Sequence, residues 1–178
     1  MAHFAKISEE NKVLTVLYIE NKFIEDENGV EQESVGQAYL EQHNNWPAHL
    51  WIQTSYKTHG NQHTNGGTPF RGNYAGIGMV WYPEHDAFTG EKPYASWVYN
   101  STLALWESPL GPKPVLTEEQ INETLTSGLI LYEHQWDEAN QVWNLVTNYE
   151  WDEANQVWNL VTHYEWDEAN QVWNLVTP

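Results

Sequence analysis

The chain of 178 residues contains no cysteine, which excludes disulfides, thiolate metal sites and cysteine nucleophiles. Basic side chains are scarce: 7 against 25 acidic ones, a net charge of −18. Wrapping of nucleic acid and adhesion to anionic membranes both need a basic face, so neither is expected. No apolar run is long enough to span a bilayer. Residues 1–12 lack the apolar stretch of a signal peptide, so export by that route is not expected. Residues 72–78 read GNYAGIG, with neither the spacing nor the lysine of a phosphate loop. No Gly-x-Ser-x-Gly nucleophile elbow occurs. These absences predict a protein that is not an enzyme and carries no cofactor.

Tryptophan is what the chain has in excess, with 11 residues. Six of them lie in a repeat. The string WDEANQVWNLVT occupies residues 136–147, 151–162 and 166–177 without a single difference. Copies without drift are either very recent or placed there by an engineer. Placing a four-residue loop between Asp152 and Val157 sets Trp151 opposite Trp158 and Tyr149 opposite Leu160. Side chains alternate along a strand, so these four share one face. A three-residue loop would split the aromatics between faces. Valine and tryptophan at residues 157–161 also favour strand over helix, and Asn155 is suited to a left-handed position in the loop. Each unit is therefore predicted to be a β-hairpin.

A lone hairpin is marginal in water, so the units are expected to stack and cover one another's aromatic faces. The aromatics that build this array are Trp136, Trp143, Tyr149, Trp151, Trp158, Tyr164, Trp166 and Trp173. In stacked copies Asp137, Asp152 and Asp167 would form a column of like charge. Repulsion raises a carboxylate pKa, so the array is expected to gain stability as pH falls, while Asp bonding to backbone N–H in the turn would act in the opposite sense. The last hairpin has no following neighbour, which predicts a dimer or trimer.

Aromatics seven apart recur upstream, at Trp81 and Phe88 and at Tyr99 and Trp106, and predict two more hairpins of one type. The N-terminal part also reads as strands at residues 3–7 and 13–19, joined by a turn at residues 8–11. A short strand is expected at Lys22-Phe23-Ile24. A helix from Ser34 would carry Val35, Ala38 and Tyr39 on one face and end near Asn44-Asn45. Strands follow at residues 50–56 and 74–82, separated by a loop over 57–71. Thr117 and Gln120 form a capping box for a short helix ended by Gly128. Three prolines (Pro109, Pro112, Pro114) and a change of charge mark a boundary, since residues 114–178 hold 12 acids and no Lys or Arg. The expected organisation is an N-terminal α+β domain over 1–113, a linker with a capped helix over 114–130, and three hairpin repeats over 131–178. The fold class is α+β, predominantly antiparallel β.

Few residues suggest chemistry. His59 and His63 have metal-ligand spacing on a helix, but the surrounding glycines and asparagines predict a solvated loop. The acidic turns lack the alternating oxygens and glycine of a calcium loop. Exposed tryptophans also make shelves for sugars, and most of the repeat tryptophans are expected in the core with some exposed as platforms.

Residues 50–56 (LWIQTSY), 70–78 (FRGNYAGIG), 86–88 (DAF) and 92–97 (KPYASW) resemble small uncharacterised proteins of tailed phages, notably those of marine bacteria. The opening MAHFAKI, the LWESP at 105–109 and a terminal hairpin of the type YxWDExxxxW resemble the same family. The likeness covers most of residues 1–147. The departure is the tail: that family usually ends after one hairpin, and here two further copies follow, at 148–162 and 163–178. No catalytic residue comes with the resemblance. It implies a non-enzymatic phage accessory or virion- or tail-associated structural protein, in the host cytoplasm during infection. Its expected partners are copies of itself and other virion proteins. The alternative is a module that binds cell-surface glycans through the hairpin aromatics.

Overall fold

The strand Ala2–Ile7 (β1) is apolar on both faces except for His3 and Lys6, as suits the centre of a covered sheet. It pairs antiparallel with Val13–Ile19 (β2) on one side and Trp51–Thr54 (β3) on the other, giving the order β2-β1-β3. The computed structural model describes residues 1–127, 131–147, 149–152, 154, 157–160, 163–167 and 172–176. The fold is mixed α+β. Every sheet among the described residues is antiparallel, and two α-helices accompany them. The chain divides into two compact units, Met1–Pro109 and Leu110–Pro178.

In the first unit, alternation along β1 sorts the core into two layers. Ala2 and Phe4 point to one side, where they meet Ile24, Leu40 and Trp51. Ala5 and Ile7 point to the other, against Val13, Leu50, Ala75, Trp81 and Phe88. Phe4, Trp51 and Phe88 are fully buried, and each such side chain contributes roughly 1.5–3 kcal/mol through its removal from water.

The first layer is closed by helix α1, Glu33–Asn44. Its buried residues are Gly36 and Leu40, while Ala38 is exposed. This corrects the face expected from Val35, Ala38 and Tyr39. Gly36 decides the matter: a Cβ there would lie 2.5 Å from Phe4 Cζ and 2.7 Å from Ile24 Cγ2, so only glycine lets the helix come this close. The short strand expected at Lys22-Phe23-Ile24 is instead a 3₁₀ turn over Asn21–Phe23. The turn closes with the Ile24 N–H donating to the Asn21 carbonyl and delivers Ile24 into the core.

The second layer is closed by a hairpin, Val80–Tyr82 (β6) with Ala87–Thr89 (β7). The strand expected over residues 74–82 shrinks to β6, because Met79 N–H turns back onto the Gly76 carbonyl. The loop expected over 57–71 holds a small hairpin, Thr58–His59 (β4) with Gln62–His63 (β5). Gly60 and Asn61 both have positive φ, which suits a two-residue hairpin turn. A further hairpin pairs Val98–Asn100 (β8) with Leu105–Glu107 (β9).

In the second unit, helix α2 spans Glu118–Ser127. The Thr117 N–H donates to Gln120 Oε1 at 2.8 Å and the Gln120 N–H to Thr117 Oγ1 at 3.3 Å, the reciprocal bonds of a capping box. Gly128, the expected stop, lies outside the described residues. Three hairpins follow: Tyr132–Asp137 (β10) with Val142–Thr147 (β11), Tyr149–Asp152 (β12) with Val157–Leu160 (β13), and His163–Asp167 (β14) with Val172–Val176 (β15).

Candidate functional site

The repeat aromatics occupy matching places in their hairpins. Trp136 lies opposite Trp143, Trp151 opposite Trp158, and Trp166 opposite Trp173. Tyr149 faces Leu160 and Tyr164 faces Leu175. The upstream hairpins obey the same rule, with Trp81 opposite Phe88 and Tyr99 opposite Trp106. In each case one residue pair separates the aromatics from a four-residue loop. The last residue of that loop carries positive φ at Asp86, Ala104 and Gln141. In the first repeat the left-handed residue is thus Gln141, one place after the asparagine expected to take it; Asn155 itself lies outside the described residues. Asn140 has another task. Its N–H and its Nδ2 donate to the Asp137 carboxylate at 3.0 and 2.7 Å and brace the loop. These bonds, the side-chain one first, hold the Asp137 carboxyl below the ordinary aspartate range. At Asp137 the loop's hydrogen bonds thus act against the upward shift expected from like-charge neighbours.

Trp136 is buried, packs edge-on against Trp143 at 5.4 Å between ring centroids, and donates from Nε1 to Glu138 at 2.8 Å. It is a core residue of its hairpin and offers no open shelf.

Two side chains from the segment FRGNY tie the first unit together. Arg71 makes a two-pronged contact with Glu33, at 2.6 Å from Nη1 and 2.8 Å from Nη2. It also donates to the Gln53 carbonyl at 2.8 Å and to Asp86 at 3.2 Å. Its guanidinium lies 4.9 Å from the Phe70 ring and 5.0 Å from that of Trp81. Burial works against its charge, but the hydrogen bonds and attraction of Glu33, then Asp86, raise its pKa above the ordinary value. Asn73 accepts the Gly60 N–H at 2.7 Å and donates to the Phe88 and Ala104 carbonyls at 2.8 and 2.9 Å. One amide thus joins three hairpins. Between them Gly72 has φ +68°, and a Cβ there would meet those of Ala104 and Ala87 at 2.9 and 3.0 Å.

A cavity of about 530 Å³ lies in the first unit where β1 begins and β3 ends. His3, Asn21, Glu31, Gln53, Tyr56 and Lys57 line it, with Phe70 at its side. The His3 ring sits among three tyrosines: 5.1 Å from Tyr56, 5.7 Å from Tyr74 and 6.3 Å from Tyr18. Burial, then the nearby N-terminal amine, lower its pKa. Asn21 Nδ2 donates to Glu31 at 2.6 Å. Asn21 Oδ1 is buried with no hydrogen-bond partner among the described residues. A buried acceptor left so costs about 1–3 kcal/mol.

His59 and His63 fall on β4 and β5. His63 Nδ1 accepts the N–H groups of Asn65 and Gly67 at 3.2 and 3.0 Å, so it braces a turn. Among the described residues no three His, Asp or Glu side chains gather as metal ligands would, and no helix is long and apolar enough to cross a membrane. Sequence reading passed over His3, Arg71 and Asn73. Arg71 carried one signal, being the only arginine in the chain; His3 carried none, because its neighbours come from distant segments. Comparisons with protein-family models, with curated proteins and with solved structures return no match.

Proposed function

We propose that this chain is a non-enzymatic accessory or virion- or tail-associated structural protein of a tailed phage, whose C-terminal hairpins stack as an array. The observation that carries this reading is the repeated register: three successive hairpins place a Trp–Trp pair at the same distance from a four-residue loop. A two-stranded hairpin alone is marginal. A row of identical ones is stabilised when each covers the aromatic face of its neighbour, and a second copy of the chain can add further cover. The burial of Trp136 supports a packing role for these rings over the glycan-binding alternative. The resemblance to phage proteins supplies the setting.

Light scattering tests the array. The full chain is expected at the mass of a dimer or trimer, and a chain lacking residues 131–178 at that of a monomer. A full chain that stays at 20.7 kDa across the micromolar range overturns the assembly. Mass spectrometry of purified particles tests the setting: recovery of the chain in stoichiometric amount supports a virion role, and its absence restricts the chain to an accessory one.

A further inference from the structure

We propose that the cavity between β1, β3 and the segment bearing Asn21 and Glu31 binds a short neutral saccharide. This inference concerns the first unit alone and stands apart from the hairpin array.

The size is right, since pockets for small ligands run about 300–1,000 Å³ and this one is about 530 Å³. Its wall is not that of a site for an apolar ligand. Gln53 carries an amide, Glu31 a carboxylate, Lys57 an ammonium and His3 an imidazole, so the lining includes both donors and acceptors. A ligand that answers such a wall must itself carry donors and acceptors on most sides, as a polyhydroxylated ring does. Glu31 and Lys57 offset each other, and the whole chain carries −18, so nothing concentrates an anion here. Two aromatic rings complete the pattern. Tyr56 is 52% exposed and Phe70 37% exposed. Exposed rings beside polar groups give the C–H face of a sugar an apolar surface while its hydroxyls bond to the wall.

The test uses the full chain, isotopically labelled, with glucose-, galactose- and N-acetylglucosamine-based disaccharides as probes at millimolar concentration. At least one is expected to shift the resonances of His3, Tyr56 and Lys57 and to leave Trp136 unmoved. Tyr56→Ala, at an exposed ring, is expected to weaken that probe about tenfold. Tyr56→Trp keeps a ring face and is expected to restore binding. Tyr94→Ala removes an exposed ring that does not line the cavity and is expected to change nothing. The proposal is overturned if no disaccharide moves His3, if shifts centre on the hairpin tryptophans, or if Tyr56→Ala binds as the parent does. It is also overturned if inorganic phosphate shifts the cavity residues and no sugar does, because the site would then be one for anions.

Discussion

Arg71 carries more of the first unit than any other polar side chain among the described residues. Its side chain is 14% exposed and that of Glu33 27%, so the pair sits where water screens it little. Arg71→Met should cost about 2–3 kcal/mol, read as a fall in the urea midpoint, because it takes both guanidinium bonds from Glu33, which keeps only the Gln53 N–H, and removes the Arg71 donor from the Gln53 carbonyl. Arg71→Lys should recover little of this, since an ammonium cannot make two parallel bonds to one carboxylate. A lysine variant as stable as the parent would show that charge alone holds the site. Asp137 makes a second prediction, with its sign set by the loop. Its pKa is lowered by Asn140, so the folded chain binds fewer protons there than the unfolded one. The stability it contributes is present above the unfolded value, about 3.9, and is lost as pH falls through the folded one. Asp26 acts in the same sense, held down by the N–H groups of Val30 and Asn28. Melting temperature should therefore fall over the acid range, opposite to the effect of a like-charge column. Carbon NMR of the Asp137 carboxyl checks it, and a titration above the random-coil value would refute the loop's control.

The elements meet where small residues allow it. Gly36→Ala would push a methyl into Phe4 and Ile24 and should cost about 1–3 kcal/mol. A Phe4→Leu change in the same chain, which opens space opposite, should return part of the loss; thermal melts of the single and double variants decide. At the loops the constraint is backbone conformation. Gln141 is exposed and has φ 52°, a region that disfavours side chains with a Cβ. Gln141→Gly should raise stability by about 0.5–1 kcal/mol, and Gln141→Val should lower it. A glycine variant less stable than the parent would mean that the loop adopts another form in solution.

For the whole molecule, the unit of construction is the test. If fifteen residues make one hairpin that touches only its neighbours, deleting residues 148–162 should leave a folded chain with a shorter array. Deleting seven residues of the same segment should not, because it breaks strand pairing and turns the faces over together. Circular dichroism and tryptophan fluorescence melts that match for the two deletions would refute the hairpin as the unit. With a charge of −18 and no basic cluster, the chain should give no gel shift with duplex DNA at physiological salt.

What local pattern dictates was legible in the residues. Aromatics seven apart with turn formers between them imply a four-residue loop, and the paired register of Trp81 with Phe88 and Trp136 with Trp143 follows from alternation alone. The capping box at Thr117 and Gln120 is likewise a matter of neighbours in sequence. What depends on distant neighbours was not legible. The inward face of α1 was set by the room Gly36 leaves for Phe4, thirty-two positions away, and not by the apolar spacing of Val35, Ala38 and Tyr39. Ile24 is delivered by a turn into the core beside Phe4, Leu40 and Trp51, a placement that depends on partners far along the chain. The cavity at His3 draws on chain segments separated by tens of residues, and only folding brings them to one place, because no short-range pattern encodes a contact closed by loops.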